Sequence, residues 1–161
     1  MTRTRKIVLG LAALLVGGFA LLQVFPIGSI RPVFAREPNP PVTATITWDS
    51  AETERLARIA CFDCHSNETV YPWYAQVAPI SWLVTRDVNR GREAMNFSED
   101  APTDYDLEDL KWHLYNDMPP RIYLVTHRDA VFTDEQKSTL FAGFEATFTE
   151  GTHNGMDMGG G

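Results

Sequence analysis

Residues 61–65 read Cys61-Phe62-Asp63-Cys64-His65, and they hold both cysteines of the chain. Upstream, Asp49 and Glu52 have N-cap and N3 spacing, and Leu56, Ile59 and Ala60 recur on one helical face. A first helix is therefore expected to run directly into Cys61. Downstream, Asn67 to Pro79 carries Pro72 and Pro79 and reads as a loop. Pro79 suits the first turn of a second helix with Ile80, Leu83, Val84 and Val88 as its apolar side, and Gly91 is expected to weaken or end it. Asp104 or Asp106 can cap a third helix carrying Leu107, Leu110 and Leu114. That helix must stop near Met118, because Pro119 and Pro120 cannot extend it. Thr133 and Gln136 form a capping box for a fourth helix with Leu140, Phe141, Phe144 and Phe148 inward. The pattern predicts an all-α domain over 49–149. A short strand at Thr43 to Thr47 is the one alternative to helix, and a Gly-rich tail from Glu150 is expected to be disordered.

The other decisive stretch is Ile7 to Phe25, IVLGLAALLVGGFALLQVF, uncharged and with Gln23 its single polar residue. As a helix it would cover roughly 28 Å, close to a bilayer core. Arg3, Arg5 and Lys6 precede it, which predicts a cytoplasmic N-terminus and a domain outside the inner membrane. The competing expectation is a cleaved signal, with Val33-Phe34-Ala35 as a small-residue site. Residues 1–6 are then a basic stub and 7–25 the transmembrane anchor. Residues 26–48 form a Pro-rich spacer, within which Arg36 to Thr45 carries Pro38, Pro40 and Pro41 and favours extended chain.

The net charge is −7. Setting aside the three cations of the stub leaves 11 basic and 21 acidic residues, about −10. That excludes nucleic acid as a partner, which needs a basic footprint. It suits a basic docking partner or simple solubility. Aromatics after residue 60, including Phe62, Tyr71, Trp73, Tyr74, Trp82, Phe97, Trp112 and Phe132, serve an ordinary core or enclose a large flat apolar group equally well.

Cys-x-x-Cys-His has a chemical logic. Two thiols three residues apart at a helix end can add to the two vinyl groups on one edge of haem, and the next residue projects its imidazole onto the iron. A thioredoxin-like redox pair belongs in a βαβ setting, and no such pattern is visible. Zinc needs four ligands, and His113 with His127 is not a finger spacing. A disulfide between Cys61 and Cys64 is strained and leaves His65 unexplained. For the sixth iron position Met118 leads, since it follows a helix and precedes two stiffening prolines, and a thioether raises the reduction potential. His127 is the alternative. His113 and Met95 read as packing or surface residues. His153, Met156 and Met158 read as incidental, although such a cluster can bind a metal ion weakly. Trp73, Tyr74 and Trp82 are candidates for the haem edge, and Arg86 and Arg90 for its propionates. Arg92 reads as a surface arginine with its stem snorkelling along the helix.

A helix leading into C-x-x-C-H, followed much later by Met-Pro, resembles the single-haem c-type cytochromes. More narrowly, Cys61 to Phe148 resembles the small bacterial haem-binding domain family. The residues carrying that likeness are CFDCHSNETVYPWYAQVAPISWLV (61–84), Asn89-Arg90-Gly91-Arg92, and Met118-Pro119-Pro120 followed by Tyr123 and His127. The resemblance implies a cytochrome c-like helical domain around one haem c, after a single N-terminal membrane helix. It also implies attachment at Cys61 and Cys64, proximal ligation by His65 and distal ligation by Met118.

The expected function is electron transfer by a membrane-tethered monohaem cytochrome, working with membrane or periplasmic redox proteins. A haem-based sensor or peroxidase-like protein with a labile sixth ligand, and a thiol redox module, are the alternatives. No acid–base pair or nucleophile triad points to hydrolysis, so an electron carrier is expected rather than an enzyme.

Overall fold

The computed structural model describes residues 2–99 and 105–153. Among these, all regular structure is helical: α1 (Arg3–Val24), α2 (Ile27–Ile30), α3 (Ala51–Ala60), α4 (Phe62–His65), α5 (Ile80–Ala94), α6 (Leu107–Asn116) and α7 (Asp134–His153). Four 3₁₀ turns join them, at Pro32–Phe34, Trp73–Gln76, Tyr123–Val125 and Arg128–Ala130. The all-α expectation therefore holds, and Thr43 to Thr47 is not a strand. The backbone there is held singly instead, with the Thr43 and Ala44 N–H groups both donating to the Ser98 carbonyl.

The chain forms two compact units, residues 1–38 with 71–90 and residues 39–70 with 91–161. In the first unit, α1 has 22 residues and no buried residue, and its apolar stretch has a mean hydropathy of 2.4. It is long and apolar enough to cross a membrane. The lone polar residue of its apolar run has a specific use. Gln23 Nε2 donates to the Ala78 carbonyl at 3.1 Å, while the Ala78 N–H donates to Gln23 Oε1 at 3.0 Å. The chain after Phe25 coils through α2 and a 3₁₀ turn before Ala35. Arg36 then donates to the Ala75 carbonyl and stacks over Tyr71. Asn89 Nδ2 donates to the carbonyls of Val33 and Ala35.

The second unit has an aromatic core. Leu56 and Ala57 of α3, Phe62 of α4, Phe97, Leu114 of α6, and Leu140, Phe141, Phe144 and Phe148 of α7 are buried together. Trp48 lies among four of these rings, T-shaped to Phe97 at 5.6 Å. Truncating a ring as buried as Phe144 would cost about 3–5 kcal/mol. The expected inward face of the fourth helix is thus the observed one. Its capping box is present as read: Gln136 N–H donates to Thr133 Oγ1, and Thr133 N–H donates to Gln136 Oε1.

Several boundaries differ from the sequence reading. Ser50, not Asp49, caps α3, accepting from the Thr53 N–H at 3.2 Å, because the helix starts one residue later. Asp49 instead ties to Thr147. Asp106 caps α6 through the N–H groups of Glu108 and Asp109; Asp104 lies outside the described residues. Gly91 does not end the second predicted helix, which continues to Ala94. The fourth runs on to His153, past the expected start of a disordered tail at Glu150. Met156 and Met158 lie outside the described residues.

Candidate functional site

The motif begins where α3 ends. The Cys61 N–H closes the last turn of α3 on the Ala57 carbonyl, and α4 restarts at once, with the His65 N–H on the Cys61 carbonyl at 2.8 Å. This break in the helix separates the roles of the five residues. Phe62 turns inward, stacked on Phe97 at 5.3 Å, and anchors the motif to the core. Cys61, Cys64 and His65 remain partly accessible. Cys61 and Cys64 are thiols, not a disulfide. Burial, with the neighbouring Cys64 sulfur, pushes the Cys61 thiol up to about 12, so it stays protonated at neutral pH.

His65 is oriented by backbone that the sequence reading had assigned no part. Its Nδ1 lies 3.2 Å from the Met95 carbonyl oxygen. A carbonyl only accepts, so Nδ1 carries the hydrogen and Nε2 keeps its lone pair for a metal. Burial shifts the imidazole below the ordinary histidine value, partly offset by the carbonyls of Met95 and Gly91, which favours the neutral form that a ligand needs. The segment carrying Met95 is fixed in turn. Phe97 N–H donates to the His65 carbonyl at 2.8 Å, and Asn96 Nδ2 donates to Asn67 Oδ1 at 2.9 Å. Asn67 N–H donates to Ser98 Oγ, which closes a buried polar network around the exit of the motif.

Gly91 explains why α5 passes through a glycine. A methyl there would stand 2.9 Å from the Cys64 carbonyl carbon and would overlap its oxygen. One residue on, Arg92 is a structural tie, not a snorkelling side chain: it donates to the Ser66 carbonyl, Asn39 Oδ1 and Thr69 Oγ1.

Asp63, between the cysteines, is the contact that the sequence reading missed. Its Oδ1 accepts from the Val70 N–H at 3.1 Å and its Oδ2 from the Tyr123 hydroxyl at 2.9 Å. Tyr123 also reaches the Ile59 carbonyl. Burial, then the Asp63 charge, drives the Tyr123 phenol far above the ordinary tyrosine range. His127 lies flat on Tyr123, centroids 3.8 Å apart, with Nε2 3.9 Å from Asp63 Oδ2. Its Nδ1 is 3.1 Å from both the Tyr123 carbonyl and Thr126 Oγ1.

Met118 follows the C-cap of α6, Asp117, with its N–H on the His113 carbonyl, and the residue is 38% exposed. His113 sits between carboxylates, 2.8 Å from Asp117 and 3.7 Å from Asp109. Among the described residues no three or more of His, Cys, Asp and Glu gather around a metal position. Trp73, Tyr74, Trp82, Arg86 and Arg90 belong to the first unit. Arg86 there forks onto Asp87, and Trp82 packs on Phe25.

The donor set fits an iron porphyrin. Two thiols lie on one turn, the adjoining imidazole is neutral with Nε2 unprotonated, and a glycine allows close backbone approach beside Cys64. The comparisons with curated proteins and with solved structures returned no match. A family model described as a haem-binding domain matches residues 17–146, well over half of the chain. The five-residue motif lies inside that span, and the chain belongs to the haem-binding domain family.

Proposed function

We propose that this protein is a membrane-tethered monohaem c-type cytochrome that carries electrons outside the inner membrane. The observation that carries the reading is the His65 geometry inside C-x-x-C-H, with Nδ1 held by the Met95 carbonyl and Nε2 available to iron. Cys61 and Cys64 would hold the haem through two thioethers, and His65 and Met118 would supply ligands to its iron. The bound haem supplies one-electron exchange between ferric and ferrous iron. The polypeptide keeps the imidazole neutral and aimed, anchors the motif through Phe62, and ties the chain beyond Met118 to Asp63 through Tyr123.

α1 is the tether, with Arg3, Arg5 and Lys6 on the cytoplasmic side. The second unit carries seven basic and nineteen acidic residues, which favours a redox partner with a basic docking face. An iron held by both His65 and Met118 would have no open site for substrate, which favours a carrier over an enzyme. The exposure of Met118 favours one other reading, a sensor or peroxidase-like protein whose sixth ligand leaves the iron.

The test is the mass and pyridine haemochrome spectrum of mature protein from its own host. One haem is expected to survive acid–acetone extraction, and Cys61→Ala or Cys64→Ala to impair its covalent retention. A colourless protein at the polypeptide mass rejects the proposal.

A further inference from the structure

The first unit carries a set of exposed apolar side chains away from α1. Trp73 is 79% exposed, and Ile80 and Leu83, one helical turn apart on α5, are also exposed. Large apolar side chains left in water mark a surface that something else covers.

The internal contacts of this unit say at what level they lie. Gln23, in the last turn of α1, clasps both backbone groups of Ala78, which fixes the start of α5 beside the exit of the apolar helix. Phe25 packs on Trp82 at 6.2 Å. The chain after Phe25 then folds back on itself. A methyl at Gly28 would stand 2.9 Å from Ala35 Cα, so only glycine lets the two strands of this bend approach. That return brings Arg36 to Tyr71 and to the Ala75 carbonyl, next to Trp73. Residues 71–83 thus gather around the end of α1, where a spanning helix leaves the hydrocarbon.

Charge agrees. Beyond α1 this unit has four cations, Arg31, Arg36, Arg86 and Arg90, against Glu37 and Asp87. That leaves +2 on this side of the apolar helix, in a chain of net −7 whose second unit is −12. A basic, tryptophan-bearing collar is the composition of a headgroup-layer element, with aromatic rings at the interface and arginines reaching to lipid phosphates.

We propose, resting on the reading of α1 as a membrane anchor, that Trp73, Ile80 and Leu83 form a second membrane contact. Residues 71–83 lie in the headgroup layer of an anionic bilayer.

The full-length holoprotein is placed in nanodiscs of mixed phosphatidylglycerol and phosphatidylcholine containing a lipid with a diazirine near the glycerol backbone. After photolysis, adducts are mapped by peptide mass spectrometry. Adducts are expected on 71–83 as well as on α1. Trp73→Ser, Ile80→Ser and Leu83→Ser together should cut those on 71–83 several-fold and leave those on α1. Omitting phosphatidylglycerol should lower the yield on 71–83. Adducts on α1 with none on 71–83 overturn this proposal alone. Adducts on neither overturn the anchor reading with it. Cross-links from 71–83 to a second copy, in place of lipid adducts, assign the patch to self-association and also overturn it.

Discussion

The Tyr123 hydroxyl donates a 2.9 Å hydrogen bond to Oδ2 of Asp63, joining the residue between the two cysteines to the loop that follows Met118. Asp63 has a second duty, accepting from the Val70 N–H. One carboxylate thus ties the motif to two segments that follow it in the chain. The variable position of C-x-x-C-H before the second cysteine is a tether point here. Tyr123→Phe should cost about 1–3 kcal/mol in chemical denaturation of the holoprotein, the usual penalty for leaving a charged acceptor unpaired. Asp63→Ala should cost more, since it removes the acceptor of both the part-buried Tyr123 hydroxyl and the Val70 N–H. Equal stability of Tyr123→Phe and wild type would show that the bond adds nothing.

The same phenol predicts an alkaline limit. Burial and the Asp63 charge hold Tyr123 protonated in the folded protein well above the ordinary value of about 10. Above that value the unfolded chain releases this proton while the folded chain keeps it. The unfolded state then binds fewer protons, and stability falls as pH rises. The contribution is fully present below about pH 10 and is lost progressively above it. Thermal melts between pH 8 and 11 should show a steeper decline for wild type than for Tyr123→Phe; parallel curves would contradict the assignment.

Gly91→Ala sets two effects against each other. Alanine raises helix propensity by about 1 kcal/mol. The added methyl, however, would overlap the Cys64 carbonyl, and overpacking of that kind costs about 1–3 kcal/mol. Backbone against backbone cannot be relieved by a rotamer change, so the clash should win. Gly91→Ala should lower both thermal stability and the yield of haem-loaded protein, read as the Soret to 280 nm absorbance ratio.

Met118→Ala should leave the haem attached and change its electronics. Loss of a thioether ligand is expected to lower the reduction potential by on the order of 100 mV, within the roughly 0.8 V that axial ligands command. It should also abolish any near-infrared sulfur–iron band and let the ferrous form bind carbon monoxide. An unchanged potential and spectrum would transfer the role to His127 or leave the sixth position without a protein ligand.

Local chemistry made much of this protein legible in its sequence. The apolar run fixed α1, the prolines after Met118 ended α6, and Thr133 with Gln136 marked the start of α7. Periodicity named Leu140, Phe141, Phe144 and Phe148 as core, and C-x-x-C-H named the thiols and the imidazole. Each signal acts over a few residues, through backbone geometry or side-chain spacing, and so survives without tertiary context. What only the folded chain decided lies in contacts far apart in sequence. Met95 orients His65 with a carbonyl, a group that every residue possesses and no motif records. Gly91 stays helical because Cys64 comes against it, where a local reading sees only a helix breaker. Asp63 and Tyr123, like Gln23 and Ala78, meet across some sixty residues and some fifty-five residues respectively. Such partners are chosen by packing, because a buried polar group must find its complement wherever the core places one.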